Sequence, residues 1–353
     1  MGKDFVKYKK EVFPIDTSLF NYLKKYNRGV QLPLEYEDLL RFRDGIPIYD
    51  ENDEDTLWLS TFFPNEERTE IDLGLKKIYT ILHVDGSEDV LPYLNVDSID
   101  FCTYGNTKPF RVKVRNILND NYVFFYIKKA DASRVYGLEL EHLLSPNPTN
   151  FLVTENTLVV DHISGIPGDV FSKSYLEKCS RFEKASIAKD FVKFNERCFV
   201  RLLGDMRDYN YVLVLMHDFD RIQYRFRAID FDQQSYEGEM NAYFPHFYEE
   251  NKVYQDLVDE YLSEGSIQQY KLEERSLMAK RATSEWVRLG DLLECMKNNT
   301  LSSEENINTL KTQLFNYVND VEFKKSTSMG EIIQAAINFV VRNYKSINPY
   351  IIK

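Results

Sequence analysis

Hydrophobic and polar positions follow one pattern in the middle of the chain and another after residue 169, so two kinds of structure are predicted. Between residues 96 and 163, short apolar runs are separated by turn signals, which is typical of strands in a small sheet. Strands are predicted at 96–103, 110–114, 122–128, 151–154 and 157–163, with one helix at 133–144 after the third strand.

After residue 169, apolar residues recur mainly at helical spacing. The clearest helix spans residues 186–203, where Ile187, Phe191 and Phe194 begin one apolar stripe. A hairpin is predicted at 211–216 and 224–231. Further amphipathic helices are predicted at 253–262, 267–283, 284–298, 303–318 and 329–344.

The first 94 residues have a mixed pattern. They predict helices at 16–26, 34–43 and 71–83 and a strand at 56–63. A change to short strands near residue 94 indicates a boundary there. We therefore expect an N-terminal mixed extension at 1–94, a sheet region at 95–164 and a helical region at 165–353, in an α+β protein.

Composition narrows the class of protein. The chain has 353 residues, of which 43% are hydrophobic, enough for a sizeable core. Its formal net charge of −12 disfavours binding to nucleic acids and anionic membranes, because both present phosphate groups. No apolar run reaches membrane-spanning length, and the four cysteines lack metal-site spacing. We expect a cytoplasmic protein without nucleic-acid or membrane partners; the sequence leaves its oligomeric state open.

The strongest chemical signal is a pair of short polar motifs at 204–210 and 228–232. Phosphoryl transfer needs a carboxylate that orients the attacking hydroxyl, and magnesium ligands that neutralise the phosphate oxygens. Asp205 and Asn210 have a spacing that places both on one loop. Asp230 lies at the end of the predicted strand at 224–231, and its apolar neighbours Ile229 and Phe231 would anchor that strand in the core.

These motifs resemble the protein kinase-like superfamily. The spacing from Asp205 to Asn210 matches the D-x-x-x-x-N pattern of the kinase catalytic loop. Gly204-Asp205 and Ile229-Asp230-Phe231 are most similar to the aminoglycoside and choline kinase branches. The resemblance implies that Asp205 is the catalytic base and that Asn210 and Asp230 are Mg²⁺ ligands. It also places Arg207 where kinases carry a lysine that contacts the transferred phosphate, although a solvated arginine is the alternative.

The resemblance extends upstream to the residues that would position ATP. Lys128, at the end of the third strand, would contact the α and β phosphates, with Lys129 as the alternative register. Glu139 on the following helix would hold that lysine, with Glu141 as the alternative.

Two further segments complete the expected nucleotide site. Backbone groups from Asp161 to Ile163 would form the hinge that meets adenine. The turn between the first two strands offers only Gly105, with Asn106 and Thr107, for gripping phosphate, and no glycine-rich loop is present.

The resemblance therefore implies a two-lobed kinase-like fold, with a small antiparallel sheet lobe that carries one helix and a larger helical lobe. The implied function is an ATP- and Mg²⁺-dependent phosphotransferase. Because an A-P-E motif is absent, a small-molecule hydroxyl is favoured over a protein as acceptor. The poor phosphate loop, and Leu203-Gly204 in place of the usual His or Arg before Asp205, favour the alternative of a pseudokinase that senses nucleotide or binds a partner.

Overall fold

The computed structural model describes residues 10–104, 107–218 and 221–346, which form two compact units. The sheet unit comprises Pro14–Asp131 and Thr149–His162. The helical unit comprises Ala132–Pro148, the residues from Ile163 onward and the segment before Pro14. Within this part of the chain, none of the helices is both long and apolar enough to cross a membrane.

The sheet unit is built on one antiparallel sheet of seven strands. In chain order these are β1 (Asp44–Tyr49), β2 (Asp55–Phe62), β3 (Leu94–Cys102), β4 (Phe110–Asn116), β5 (Tyr122–Lys129), β6 (Phe151–Val153) and β7 (Thr157–Asp161). Their order across the sheet is β1-β2-β3-β4-β5-β7-β6, and every pair is antiparallel. The unit also contains helices α1 (Thr17–Lys25), α2 (Tyr36–Leu39) and α3 (Asn65–His83).

One face of this sheet forms the unit's hydrophobic core. Helix α3 supplies Ile71, Leu75 and Ile78, which join the buried alternate residues of the strands, such as Val112 and Phe125. Because side chains alternate along a strand, Lys113 and Phe124 on the same strands point to the opposite face. The period-2 pattern of the sequence therefore marks which face is buried.

The helical unit contains nine helices among the described residues. They are α4 (Ala132–Leu144), α5 (Gly168–Ser174), α6 (Arg181–Arg201), α7 (Lys252–Tyr261), α8 (Glu264–Ser284), α9 (Trp286–Asn298), α10 (Glu304–Val318), α11 (Val321–Lys325) and α12 (Met329–Tyr344). A small sheet of order β10-β9-β8 accompanies them, formed by β8 (Ile166–Pro167), β9 (Tyr211–Asp218) and β10 (Arg221–Ala228).

Helix α6 is the central element of this unit and packs against α7, α8 and β10. Ser180 caps its start, and Glu183 completes the capping box. Its apolar stripe, which includes Phe191 and Phe194, is buried as predicted. The helix ends at Leu202, which adopts the left-handed conformation with φ 52°.

Most predicted elements are confirmed, as is the α+β class. The predicted helix at 34–43 contains only the four residues of α2, and β1, β8, α5 and α11 were not predicted. The units also divide the chain at different places from the expected boundaries. Residue 94 begins β3 inside the seven-stranded sheet, since β1 and β2 extend that sheet, and α4 belongs to the helical unit.

Candidate functional site

The loop that follows α6 is fixed at its start by backbone contacts inside the helical unit. Leu203 forms an isolated antiparallel bridge with Gln234, and the N–H of Gly204 donates to the carbonyl of Gln233 at 3.2 Å. The side-chain amide of Gln234 donates to the carbonyl of Arg201 at 2.5 Å. The segment after Asp232 therefore holds the entrance to the loop.

Asp205 is held in an unusual conformation. Its φ is 56°, in the left-handed region that Asp tolerates better than most residues. Its backbone N–H donates to the Tyr248 hydroxyl at 3.0 Å, and that hydroxyl donates to the carbonyl of Ala242 at 2.8 Å. The Asp205 side chain is 22% exposed. A strained, partly exposed carboxylate supported by its surroundings is a common feature of functional sites.

Asn210 joins the two motifs that sequence analysis singled out. Its side-chain amide donates to the backbone carbonyl of Asp205 at 2.7 Å and lies 3.4 Å from the carboxylate oxygen Oδ2 of Asp205. Its own carbonyl accepts from the N–H groups of Ile229 at 3.0 Å and Asp230 at 3.4 Å. The structure therefore brings Asp205, Asn210 and Asp230 together, although 20 positions separate Asn210 from Asp230 in the chain.

Arg207 is engaged by carboxylates on both sides. Its Nε donates to Asp205 Oδ1 at 3.0 Å, and its Nη1 donates to Glu250 Oε1 at 2.6 Å. The guanidinium also lies 5.3 Å from the centre of the Tyr248 ring. Burial opposes its charge, but hydrogen bonding and attraction to Glu250 hold the pKa of Arg207 above its ordinary value. Contact between Arg207 and a transferred phosphate stays a prediction.

Asn251 is a supporting residue that sequence analysis missed. It is fully buried, and its amide donates to the carbonyls of Met206 and Pro245, each at 2.7 Å. Its oxygen accepts from the Tyr211 hydroxyl at 2.6 Å. No spacing or motif marks it, because its partners lie 6 to 45 positions away.

The far side of the loop packs tightly against α5. A Cβ on Gly168 would lie 2.4 Å from the backbone oxygen of Asp208 and 2.4 Å from the Tyr211 ring, so only glycine fits there. Asp208 is buried, and burial followed by the nearby carboxylates of Asp169 and Glu250 raises its pKa. Acidic and aromatic groups therefore lie against this side of the loop.

The residues after β10 connect the site to α4. Asp230 Oδ1 accepts from the N–H of Asp232 at 3.2 Å, and the Asp232 carboxylate pairs with Arg134 of α4. A Cβ on Gly137 would lie 3.0 Å from the Phe231 side chain, so α4 approaches this segment closely. These contacts explain why α4 belongs to the helical unit.

Both candidate carboxylates of α4 are bound by arginines. Glu139 has no exposed side-chain area, and its two oxygens accept from Arg288 of α9 at 2.8 to 3.1 Å. Glu141 pairs with Arg201 of α6. Burial opposes ionisation of Glu141, but the Arg201 guanidinium lowers its pKa below the ordinary value. The resemblance to kinases implied that Glu139 holds Lys128. It did not imply the ion pair between Glu139 and Arg288.

The remaining candidates lie in or beside the sheet unit. Lys128 is on β5 opposite Leu158 of β7, and Lys129 follows it on the other face. The N–H of Asp161 donates to the carbonyl of Asn150 at 3.0 Å. An adenine contact by that amide would have to replace a bond within the unit.

The last three predicted nucleotide-binding residues are Ile163, Gly105 and Asn106. Ile163 begins the last segment of the helical unit, one residue after the sheet unit ends. Gly105 and Asn106 lie outside the described residues.

Among residues 10–104, 107–218 and 221–346, no group of three or more His, Cys, Asp or Glu side chains could hold a metal ion. The predicted magnesium ligands are Asn210 and Asp230, and only Asp230 is of these four residue types. Magnesium bound there would take its other ligands from phosphate and water oxygens.

Comparison with known proteins assigns no family. No family model matches the chain, and no curated protein matches it. The geometry of the loop and its supporting residues is therefore the basis for a functional assignment.

Proposed function

We propose that the protein is an ATP- and Mg²⁺-dependent phosphotransferase with a two-lobed kinase-like arrangement, acting on a hydroxyl group. The observation that carries the proposal is the position of Asn210, which contacts Asp205 through its side chain and Asp230 through its carbonyl. A base and two metal-ligating residue types, expected from separate motifs, thus meet at one loop. Phosphoryl transfer uses a carboxylate that orients the hydroxyl and ligands that hold magnesium, and these residue types can supply both.

In the proposed reaction, Asp205 accepts the proton of the acceptor hydroxyl. The hydroxyl oxygen bonds to the γ-phosphorus as the bond from that phosphorus to the bridging oxygen breaks, and ADP leaves. The hydrogen bonds from Arg207 and Asn210 to Asp205 orient its carboxylate for this role. Asn210 and Asp230 would hold magnesium, which neutralises charge on the phosphate oxygens. Lys128 would bind the α and β phosphates.

The acceptor that we propose is a small molecule, with a protein as the less favoured choice. Its support is the similarity of the Gly-Asp and Ile-Asp-Phe motifs to small-molecule kinases and the absence of an A-P-E motif. We also propose that the protein works in the cytoplasm.

One observation favours a second candidate, a pseudokinase that binds nucleotide or a partner. Glu139, expected to hold the ATP-binding lysine, is buried in a bidentate pair with Arg288. Two carboxylates likewise engage Arg207. In its nucleotide-binding form, such a protein would bind ATP without Asp205-dependent turnover.

The proposal is tested first by binding. MgATP should raise the melting temperature of the full-length protein, because a ligand that binds only the folded state stabilises it. Asp230→Ala should remove the magnesium-dependent part of this shift. Glu249→Gln, which changes an exposed carboxylate nearby, is the control and should keep it. Absence of any MgATP-dependent shift in the unmodified protein would contradict the phosphotransferase and the nucleotide-binding form of the pseudokinase.

Turnover then distinguishes the two candidates. ATP consumption should be measured with a panel of hydroxyl compounds and as autophosphorylation. Asp205→Asn should lower the rate by about 10³-fold, since a positioned base contributes about 10² to 10⁴. MgATP binding without Asp205-dependent turnover would reject the phosphotransferase and favour the pseudokinase.

A further inference from the structure

The helical unit contains a cavity that the proposed reaction does not use. It has a volume of about 270 Å³. Its wall is mainly apolar and includes Phe199 and Leu202 of α6 and its C-cap, Leu314 of α10, Phe323 of α11 and Ala336 of α12. Four of these side chains are less than 9% exposed, and Ala336 is 9% exposed. These residues come from four neighbouring elements of the helical unit.

One end of the cavity is polar. Arg275 of α8 donates from Nη1 to the Tyr344 hydroxyl at 2.9 Å, and both residues line the space. Arg275 Nε donates to the buried carboxylate of Glu196 at 2.6 Å. Arginine has five N–H groups, and these contacts use two of them. The guanidinium therefore retains donors beyond these two bonds at the edge of an apolar space.

The charge at this end is already balanced. Glu196 neutralises Arg275, and attraction to Glu196 holds the pKa of Arg275 above its ordinary value even though burial opposes the charge. A ligand carboxylate would leave a net negative charge among apolar side chains, which is costly. An uncharged hydrogen-bond acceptor would use the remaining N–H groups without that cost.

The volume limits the size of the occupant. An engineered apolar cavity of about 150 Å³ in another protein holds benzene, which has six non-hydrogen atoms. By the same ratio, this cavity has room for about ten non-hydrogen atoms. An eight-carbon chain with a small head group has that size.

We propose that this cavity is a binding site for a small uncharged amphipathic molecule, whose apolar body lies against Phe199, Leu314 and Ala336 and whose hydrogen-bond-accepting head meets Arg275. The site is separate from the loop of Asp205, although Leu202 in its wall lies three positions before that residue. Binding here does not require that the protein be a phosphotransferase.

The experiment uses octanamide and octanoate, which have the same number of non-hydrogen atoms and differ in charge. Titration calorimetry on the full-length protein should give a dissociation constant for octanamide below about 1 mM. Octanoate should bind at least about tenfold more weakly, since the charge of Arg275 is already balanced. Equal affinity for the two ligands, or no binding of octanamide, would overturn the proposal.

The Glu196→Gln variant tests whether the charge balance at Arg275 decides which of the two ligands binds more tightly. With Glu196 neutral, the positive charge of Arg275 is unbalanced, so the preference should reverse and octanoate should bind more tightly than octanamide. An unchanged preference in a folded variant, with folding confirmed by circular dichroism, would contradict the proposed head-group position.

A pair of phenylalanine substitutions on α12 tests the place of binding even if Glu196→Gln fails to fold. Ala336→Phe puts a ring into the cavity and should lower octanamide affinity at least about tenfold. Asn338→Phe adds the same ring at an exposed position of the same helix and should leave affinity unchanged. Equal binding by both variants would show that octanamide binds elsewhere.

Discussion

Helix α4 and the loop after α6 both carry acidic side chains, but their surroundings differ. Glu139 and Glu141 of α4 are almost completely buried, and each is paired with an arginine of the helical unit. Asp205 in the loop is partly exposed and takes a left-handed conformation that backbone and side-chain hydrogen bonds hold in place. Buried, paired carboxylates mainly affect stability, whereas an exposed and oriented carboxylate is available for chemistry.

Unlike α4, the loop is held in place by a short segment that lies just before α7. Tyr248, Glu250 and Asn251 all lie in the short segment before α7, and each contacts the loop or its neighbours. None of them belongs to the kinase-like motifs. The loop geometry therefore depends on residues about 40 positions downstream of Asp205.

The largest effect on stability is expected from breaking the buried ion pair between Glu141 of α4 and Arg201 of α6. Glu141→Gln leaves Arg201 without its ionised partner and should lower the free energy of unfolding by about 3 to 5 kcal/mol, measured by urea denaturation. The control is the double variant Glu141→Leu with Arg201→Met, which removes both charges and should cost less than the single change. A single-variant cost below about 1 kcal/mol would contradict the stabilising role that we assign to this pair.

The next effect concerns the support of the loop. Asn251→Ala removes three buried hydrogen bonds, two to the carbonyls of Met206 and Pro245 and one from the Tyr211 hydroxyl, so we expect about 3 kcal/mol of lost stability together with reduced MgATP-dependent turnover. Tyr211→Phe removes only one of these bonds and should cost about 1 kcal/mol. If the two variants prove equally stable, the network does not hold the loop.

The pH dependence of stability distinguishes the segment that supports the loop from α4. Burial, assisted by Lys271, lowers the pKa of His246 from 6.5 to about 4, and His246 lies in the segment that supports the loop. Its N–H donates to Asn195 Oδ1 at 2.9 Å, and its ring Nδ1 lies 2.7 Å from the same oxygen. Below pH 6.5 the unfolded chain takes up a proton that the folded protein does not, so stability is lost as the pH falls from 6.5 towards 4.

From pH 7 to pH 5 this loss should be about 2 kcal/mol, measured as the change in free energy of unfolding. His246→Gln should remove it. The Glu141→Gln variant should keep it, because the pKa of Glu141 is lowered and that side chain stays ionised in this range. A pH dependence unchanged by His246→Gln would assign the effect to another group.

The smallest effect on stability is expected at Asp205 itself. Asp205→Asn keeps a residue that tolerates the left-handed conformation and removes only a partly exposed ion pair with Arg207. The free energy of unfolding should change by less than about 1 kcal/mol. A loss as large as that of Glu141→Gln would indicate that Asp205, too, has a structural role.

The sequence by itself determined the order and type of most elements. The period of the apolar residues identified β3, β4, β5, α4 and α6, because local burial imposes a period of two on strands and 3.6 on helices. It also identified Asp205, Asn210 and Asp230, since five-residue spacing and a strand end are local properties. In the structure, Asn210 contacts Asp205 through its side chain and Asp230 through its backbone carbonyl.

Only the tertiary structure decided the partners of these groups. The grouping of α4 with the helical unit follows from Arg134, Gly137 and Glu139, whose contacts lie about 90 to 150 positions away. Likewise, nothing in local spacing marks Asn251 as the residue that supports the loop. Periodicity records which face of an element is buried, but not which distant side chain meets a buried charge, because that choice depends on how the elements pack.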